Sequence, residues 1–234
     1  MPNKLRHEVE QVLGRIPIDF GGGCSVRKAY VMAWLIGRFG LERSLDIGVY
    51  RGRSLFPQAV AHKLAGRGVA YGVDPWSAAE ADESDHTALR EQIKAFVANT
   101  DFEQLYRDVM RRVGEFGVGE HTRIVRTTSA EAAKQFAADG VTFGLIHIDG
   151  NHDTEPVLRD VRAYLPLLQP GGFLVMDDVS WPSVEPAVHE AERHTKLLLR
   201  RVSADKADDY AVLRKPGGTD AMTLGLRLHL LAGT

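Results

Sequence analysis

Short apolar runs alternate with helical stretches over most of this chain. From residue 43 the runs are SLDIG and VAYGVD, with a helical stretch over 54–64 between them. Each run closes on an acidic residue or a glycine, the pattern of fully buried strands that end at a turn. The alternation continues through TRIVRT, the helical AEAAKQFAA, GLIHID, the helical TEPVLRDVRAYLPLL and GGFLVMDD, which predicts successive βαβ units. After Trp181 a helix to about residue 194 precedes LLLRRV and YAVLRK, two runs separated by a polar turn with Asp205, Asp208 and Asp209. They predict a terminal antiparallel hairpin. Ahead of the alternation, 4–13 and 25–39 read as helices, the second preceded by the chain-breaking Gly21-Gly22-Gly23. The stretch 76–120 exceeds what one crossover helix needs, and its helical periods over 88–97 and 102–113 break near Asn99. It reads as an inserted lid.

The expected fold is α/β, a Rossmann-like, doubly wound, mostly parallel seven-stranded sheet with a C-terminal antiparallel hairpin. A helical N-terminal cap over 1–42 and a helical lid over about 76–120 complete one domain spanning 1–234, since no repeat or low-complexity linker marks a second. A formal net charge of −2 gives no basic field, so neither nucleic acid nor an anionic membrane is an expected partner. The longest apolar run, 30–36, is bracketed by Arg27, Lys28 and Arg38 and falls well short of the ~20 residues of a spanning helix. The N-terminal residues do not read as a secretory signal, and the single Cys24 forms no internal disulfide and reads as a small core residue. The expected location is cytoplasmic. Apolar stretches at 29–36 and in LGLRLHLLAG suit either a homodimer contact or the chain's own core.

In an open parallel sheet the ligand sits beyond the carboxyl ends of the strands, so the strand-closing residues carry the chemistry. The first run ends Asp46-Ile47-Gly48-Val49-Tyr50-Arg51-Gly52-Arg53-Ser54, where Gly48 and Gly52 admit close backbone approach to a ligand. Counted from Gly48, the spacing departs from the dinucleotide G-x-G-x-x-G, which disfavours a dehydrogenase. Asp74, in GVDPW, is placed to accept from a ribose diol, although a turn aspartate before Pro75 is the plainer reading of that residue alone. Asp46 can orient the glycine turn or accept from a ligand ammonium, and a negative charge there suits a cationic nucleoside better than a pyrophosphate. Tyr50, Trp76 and Trp181 lie at strand ends, where rings can stack on a base, wall a pocket or pack against the lid. Arg51 and Arg53 read as solvated loop arginines ahead of an anion clamp.

The segments DIGVYRGRS, GVDPW, IHIDGNHDTEPVLRDV and LPLLQPGGFLVMDD resemble the class I S-adenosylmethionine (SAM) methyltransferases. Within them the resemblance is to the metal-dependent small-molecule O-methyltransferases that include antibiotic-sugar methyltransferases and relatives labelled cephalosporin hydroxylases. It covers roughly residues 43–178. It implies SAM as cofactor, with Asp46, Gly48, Gly52 and Ser54 at the methionine end, Asp74 at the ribose and Ser129 near the adenine. The residues before Ser129 are Thr127 and Thr128, where the family carries a Gly-Asp pair.

Ile148-Asp149-Gly150-Asn151-His152 and Met176-Asp177-Asp178 close two further strands, so Asp149, Asp177 and Asp178 converge at one sheet edge and repel one another without a cation. Hard divalent ions take such oxygen ligands, and the expected cofactor besides SAM is Mg²⁺, which would hold an acceptor oxygen and lower its pKa. Capping is the competing role for carboxylates at helix starts, Asp153 for TEPVLRDV above all. His152, three positions after Asp149, is the expected general base, a role the resemblance also implies. His147, inside an apolar run, reads as a satisfied buried histidine. The expected activity is methyl transfer to a hydroxyl of a small polar natural product or sugar. Transfer to nitrogen or carbon, another SAM-binding reaction, and a non-catalytic nucleoside-binding protein are the alternatives.

Overall fold

The computed structural model describes residues 2–19, 23–85, 87–203, 206–217, 224–225, 227–229 and 231. Its strands are β1 (Arg43–Ile47), β2 (Val69–Val73), β3 (Thr122–Val125), β4 (Phe143–Ile148), β5 (Leu168–Asp177), β6 (Lys196–Arg201) and β7 (Tyr210–Arg214). They form a seven-stranded sheet in the order β3-β2-β1-β4-β5-β7-β6, in which β7 runs antiparallel to both its neighbours and the rest are parallel. All residues of β4 are buried, as an uninterrupted apolar run requires of a central strand covered on both faces. Strand order reverses between β1 and β4, and a crevice opens beyond their carboxyl ends.

The helices are α1 (Pro2–Leu13), α2 (Val26–Phe39), α3 (Leu55–Ala65), α4 (Ala78–Ala81), α5 (Arg90–Asn99), α6 (Phe102–Glu115), α7 (Ser129–Ala138), α8 (Thr154–Tyr164) and α9 (Glu185–Glu192). α2 starts where the Ser25 hydroxyl accepts from the Lys28 amide and stops at Gly40, whose φ of 61° suits glycine. Its apolar face, with Met32, Leu35 and Ile36, packs on Phe173 and Val175 of β5 and Val212 of β7, and each such side chain contributes roughly 1.5–3 kcal/mol relative to exposure. Leu224 and Leu228 of the tail are buried in the same core. On the other face α7, α8 and α9 cover the sheet through Phe136, Val157, Val161 and Val188. Among the described residues no helix is long and apolar enough to cross a membrane.

The expected lid divides in two. α6 buries Leu105 and Val109 against Phe56 and Val60 of α3, which makes it the crossover helix between β2 and β3. α5 buries only Ile93, and residues 77–99 cover the strand ends, with Phe102 at the start of α6 also on the cavity wall. Both pieces are helical in period, so periodicity could not separate them; burial does.

Candidate active site

The ends of β1, β2, β4 and β5 surround a cavity of about 570 Å³. At β1 the chain turns at Gly48 with φ of 85°, and a Cβ there would lie 1.9 Å from the Asp149 carbonyl oxygen, so glycine lets the β1 and β4 loops touch. Among the described residues three that are not glycine adopt positive φ: Tyr50 at 48°, Trp76 at 44° and Asp178 at 49°. One follows each of β1, β2 and β5, and all three line the cavity. Strain of this kind, of order 1–3 kcal/mol per residue, persists where surrounding contacts impose it.

Of the expected cofactor residues, Asp46 and Gly52 lie outside the cavity wall and the others form part of it. Asp46 is fully buried, accepting from the Ser54 hydroxyl at 2.8 Å and the Gln58 amide at 3.3 Å and pairing with His147 Nδ1 at 2.6 Å. This corrects its placement at the methionine end: it braces the turn from beneath, the alternative left open by the sequence. Gly52 turns at φ of 87°, where a Cβ would meet the Phe56 ring at 2.4 Å, so its role is also in the turn. Asp74 spans two loops, accepting from Tyr50 N at 2.8 Å and Trp76 N at 2.6 Å. Burial raises its pKa while those amides lower it. The Trp76 indole donates to the Tyr50 carbonyl at 3.0 Å and its ring meets Tyr106. Ser129, the first residue of α7, donates to Asp160 Oδ1 of α8 at 2.6 Å.

Arg53, expected in solvent, is buried and donates to the carbonyls of Leu13, Ile16 and Cys24, pinning the N-terminal cap to the β1 turn. Arg51 pairs with Asp19 at the cavity mouth. Cys24 is a buried thiol, pushed up to about 12 by burial.

The acidic residues meet as expected, together with a cation that the sequence reading overlooked. Lys28 of α2 is wholly buried, paired with Asp177 Oδ2 and donating to the Gly23 carbonyl at 3.1 Å. Burial opposes its charge, but Asp177 outweighs it and the ammonium stays protonated. The available signal was a lysine among the apolar positions of α2 rather than at its flank. His147 bridges Asp46 and Asp177, its Nε2 3.6 Å from Asp177 Oδ1. Burial works against the imidazolium, yet the two carboxylates lift its pKa to about 10. Burial alone would raise Asp177, but Lys28 and His147 hold it at about 2.

Asp149 and Asp178 are compensated less fully, Asp149 by Lys28 and His152 and Asp178 chiefly by His152. Burial and the Asp177 carboxylate push Asp149 up to about 6 against Lys28 and His152, and burial with Asp177 and Asp149 pushes Asp178 to about 7 against His152. Burial opposes the charge on His152 itself, but Asp149, Glu83 and Asp178 raise its pKa well above the ordinary value. His152 Nε2 stands 3.4 Å from Asp149 Oδ1 and 3.3 Å from Asp178 Oδ2. One ligand atom from each of these three residues falls within 4.8 Å of the others, and the same holds for His147, Asp149 and Asp177. Asp177 Oδ1 and Asp178 Oδ1 are buried without a hydrogen-bond partner among the described residues, so the donor set fits a hard divalent ion. Lys28 already neutralises Asp177, which leaves Asp149 and Asp178 as the carboxylates most in need of a cation.

Residues 80–85 close over this cluster. Glu83 Oε1 accepts from both the backbone N and Nδ1 of His152 at 2.9 Å, which turns Nε2 toward the carboxylates. Asn151 donates to the carbonyls of Glu80 and Asp82, and Asp153 accepts from Ser84 and Asp85. Asp153 occupies the cap position of α8 but makes no side-chain cap bond; Asp85 accepts from Thr154 N at 2.8 Å instead. The expected self-cap is thus replaced by one from the covering segment. Trp181 packs at 5.3 Å from the His152 ring, and Tyr50 meets Phe96 of α5.

The reversed strand order, the glycine turn and the acidic cluster together place a ligand crevice at the carboxyl ends of the strands. Residues 45–179 match the family described as methyltransferase domain, and the chain belongs to that family. No curated protein sequence matches it. Similar solved structures include the O-methyltransferase of Bacillus cereus in complex with SAH, at 15% identity and TM-score 0.59, covering 91% of this chain and 90% of that one. The O-methyltransferase TomG of Streptomyces achromogenes, involved in tomaymycin synthesis and in complex with SAM, aligns at 13% identity and TM-score 0.59 over 92% and 90%. SAH-bound methyltransferase PaMTH1 of Podospora anserina aligns at 16% and 0.57 over 92% and 88%.

Proposed function

We propose that this protein transfers the methyl group of SAM to a hydroxyl of a small polar acceptor, with His152 as base and a divalent cation at the acidic pair. The observation that carries the reading is His152 Nε2 facing Asp149 and Asp178 in the same cavity that Asp74 and Ser129 line. The SAM and SAH bound by the similar structures support the cofactor.

The acceptor oxygen attacks the sulfonium methyl carbon, the carbon–sulfur bond breaks, and the electron pair leaves with sulfur as a neutral thioether. The hydroxyl proton passes to Nε2 of neutral His152, whose other nitrogen is fixed by Glu83; burial opposes the charged ring, but Asp149, Glu83 and Asp178 raise its pKa and favour its taking the proton. Asp149 and Asp178 would hold Mg²⁺ or a similar ion, with the Asp177 oxygen beside them, and such an ion would supply charge neutralisation and a lowered hydroxyl pKa. Residues 80–85 exclude water from the attacking oxygen.

Calorimetric titration of metal-stripped protein with S-adenosylhomocysteine (SAH), without and then with MgCl₂, tests the reading. Asp149→Ala is expected to keep SAH affinity within about threefold while losing the magnesium response and at least ~100-fold in turnover. Unimpaired turnover after exhaustive chelation would remove the metal, and product mass from a panel of hydroxyl and amine acceptors separates transfer to oxygen from transfer to nitrogen or carbon. Firm SAH binding with no product from any acceptor would favour a non-catalytic binder.

A further inference from the structure

We infer that Asp160 reads the base of the cofactor, accepting a hydrogen bond from the 6-amino group of adenine while Ser129 holds the carboxylate in place. The inference rests on the SAM reading above and names a residue outside the four signature segments' strand ends.

Asp160 lies on α8, only 4% exposed, yet it forms part of the cavity wall beside Thr128, Ser129 and Gly150. Its Oδ1 accepts from the Ser129 hydroxyl at 2.6 Å, and among the described residues no donor reaches Oδ2. That oxygen lies 3.7 Å from where a Gly150 Cβ would be, so the glycine leaves the space in front of it open. A buried carboxylate with one bare oxygen is costly. Among the described residues no buried cation answers this one, and burial lifts its pKa to about 6, with Ser129 and Arg159 lowering it only as lesser influences.

The position of this oxygen selects the ligand group. Asp74 follows β2 and suits the ribose diol, so the base lies further along the same wall. Beyond Arg126, which pairs with Glu103, the residues leading into α7 supply the hydroxyls of Thr127, Thr128 and Ser129, and Asp160 brings a carboxylate to that part of the cavity wall. A carboxylate requires a donor, and the amino group is the donor on adenine's outer edge. Ser129 is itself braced, its carbonyl accepting from the Tyr164 hydroxyl at 2.7 Å, so the acceptor is preorganised before the cofactor arrives.

The test compares SAH with S-inosylhomocysteine, which carries a 6-oxo group in place of the amine, by calorimetry. Wild type is expected to prefer SAH by roughly 10- to 100-fold, since the oxo group meets a carboxylate instead of donating to it. In Asp160→Asn, whose amide can donate to the oxo group, the preference should fall below about threefold. Ser129→Ala, which keeps the charge but frees it to turn, should lower the preference by a smaller factor. Equal affinities in wild type would overturn the inference and leave the cofactor reading intact, whereas binding of neither compound would remove both. A full wild-type preference in Asp160→Asn would also overturn it and reduce Asp160 to a tie between α7 and α8.

Discussion

Lys28 brings a full positive charge to the point where Asp177, His147 and Asp46 meet beneath the cavity floor. Removing one member of a buried pair strands the other, at a cost of about 3–5 kcal/mol. Lys28→Met is therefore expected to lower the unfolding free energy by that amount in a urea titration, and adding Asp177→Asn should recover part of it. An unchanged midpoint in the single variant would contradict the pairing. His147 gives a pH dependence with a definite sign. Its folded pKa of about 10 exceeds the ordinary 6.5, so its contribution is complete below 6.5 and is lost as pH rises through 10. Thermal unfolding followed from pH 6 to 10 should show a steeper decline in wild type than in His147→Gln; parallel profiles would rule out a buried imidazolium. The sequence read His147 as satisfied and buried. Its partners come from β1 and β5, far apart along the chain, and so were not legible.

At the scale of elements, the covering segment decides how the site is assembled. Glu83 fixes His152, Asp153 anchors residues 84–85, and Asp85 caps α8 in return, so closing the cover and orienting the base are one event. Glu83→Gln keeps the shape but weakens the acceptor, and it is expected to cost about tenfold or more in kcat with SAH affinity nearly unchanged. Equal losses in kcat and SAH affinity would mean that Glu83 supports the cover as a whole. The strands were legible because buried parallel strands are short apolar runs with nothing polar inside. The split of the 76–120 stretch into a cover and a crossover helix was not, since both carry helical period and differ only in what they pack against. The exchange of the α8 cap from Asp153 to Asp85 was hidden for the same reason: a cap motif records a local option, and a distant loop can take it up.

For the whole molecule, the cavity joins loops from both halves of the sheet, so a ligand filling it ties them together. SAH at a hundred times its Kd is expected to add ~2.7 kcal/mol of stability, which for a chain of this size corresponds to a rise in Tm of roughly 5–10 °C. A thermal scan with and without SAH checks this, and no shift at saturation would contradict the binding site. The sequence by itself determined the layered α/β plan, the hairpin at its end and the set of strand-closing residues, because burial on both faces and turn chemistry are local requirements written into neighbouring residues. It also placed Asp149, His152, Asp177 and Asp178 together, since parallel strands deliver their carboxyl ends to one edge. Only the tertiary structure decided their division of labour. Lys28 neutralises Asp177 from below, Asp46 braces a turn instead of facing the cavity, Arg53 pins the cap, Glu83 turns the histidine and Asp160 reaches in from α8. Each of these depends on which side chain is desolvated beside which, and a charge's partner is set by distance in space rather than by position along the chain.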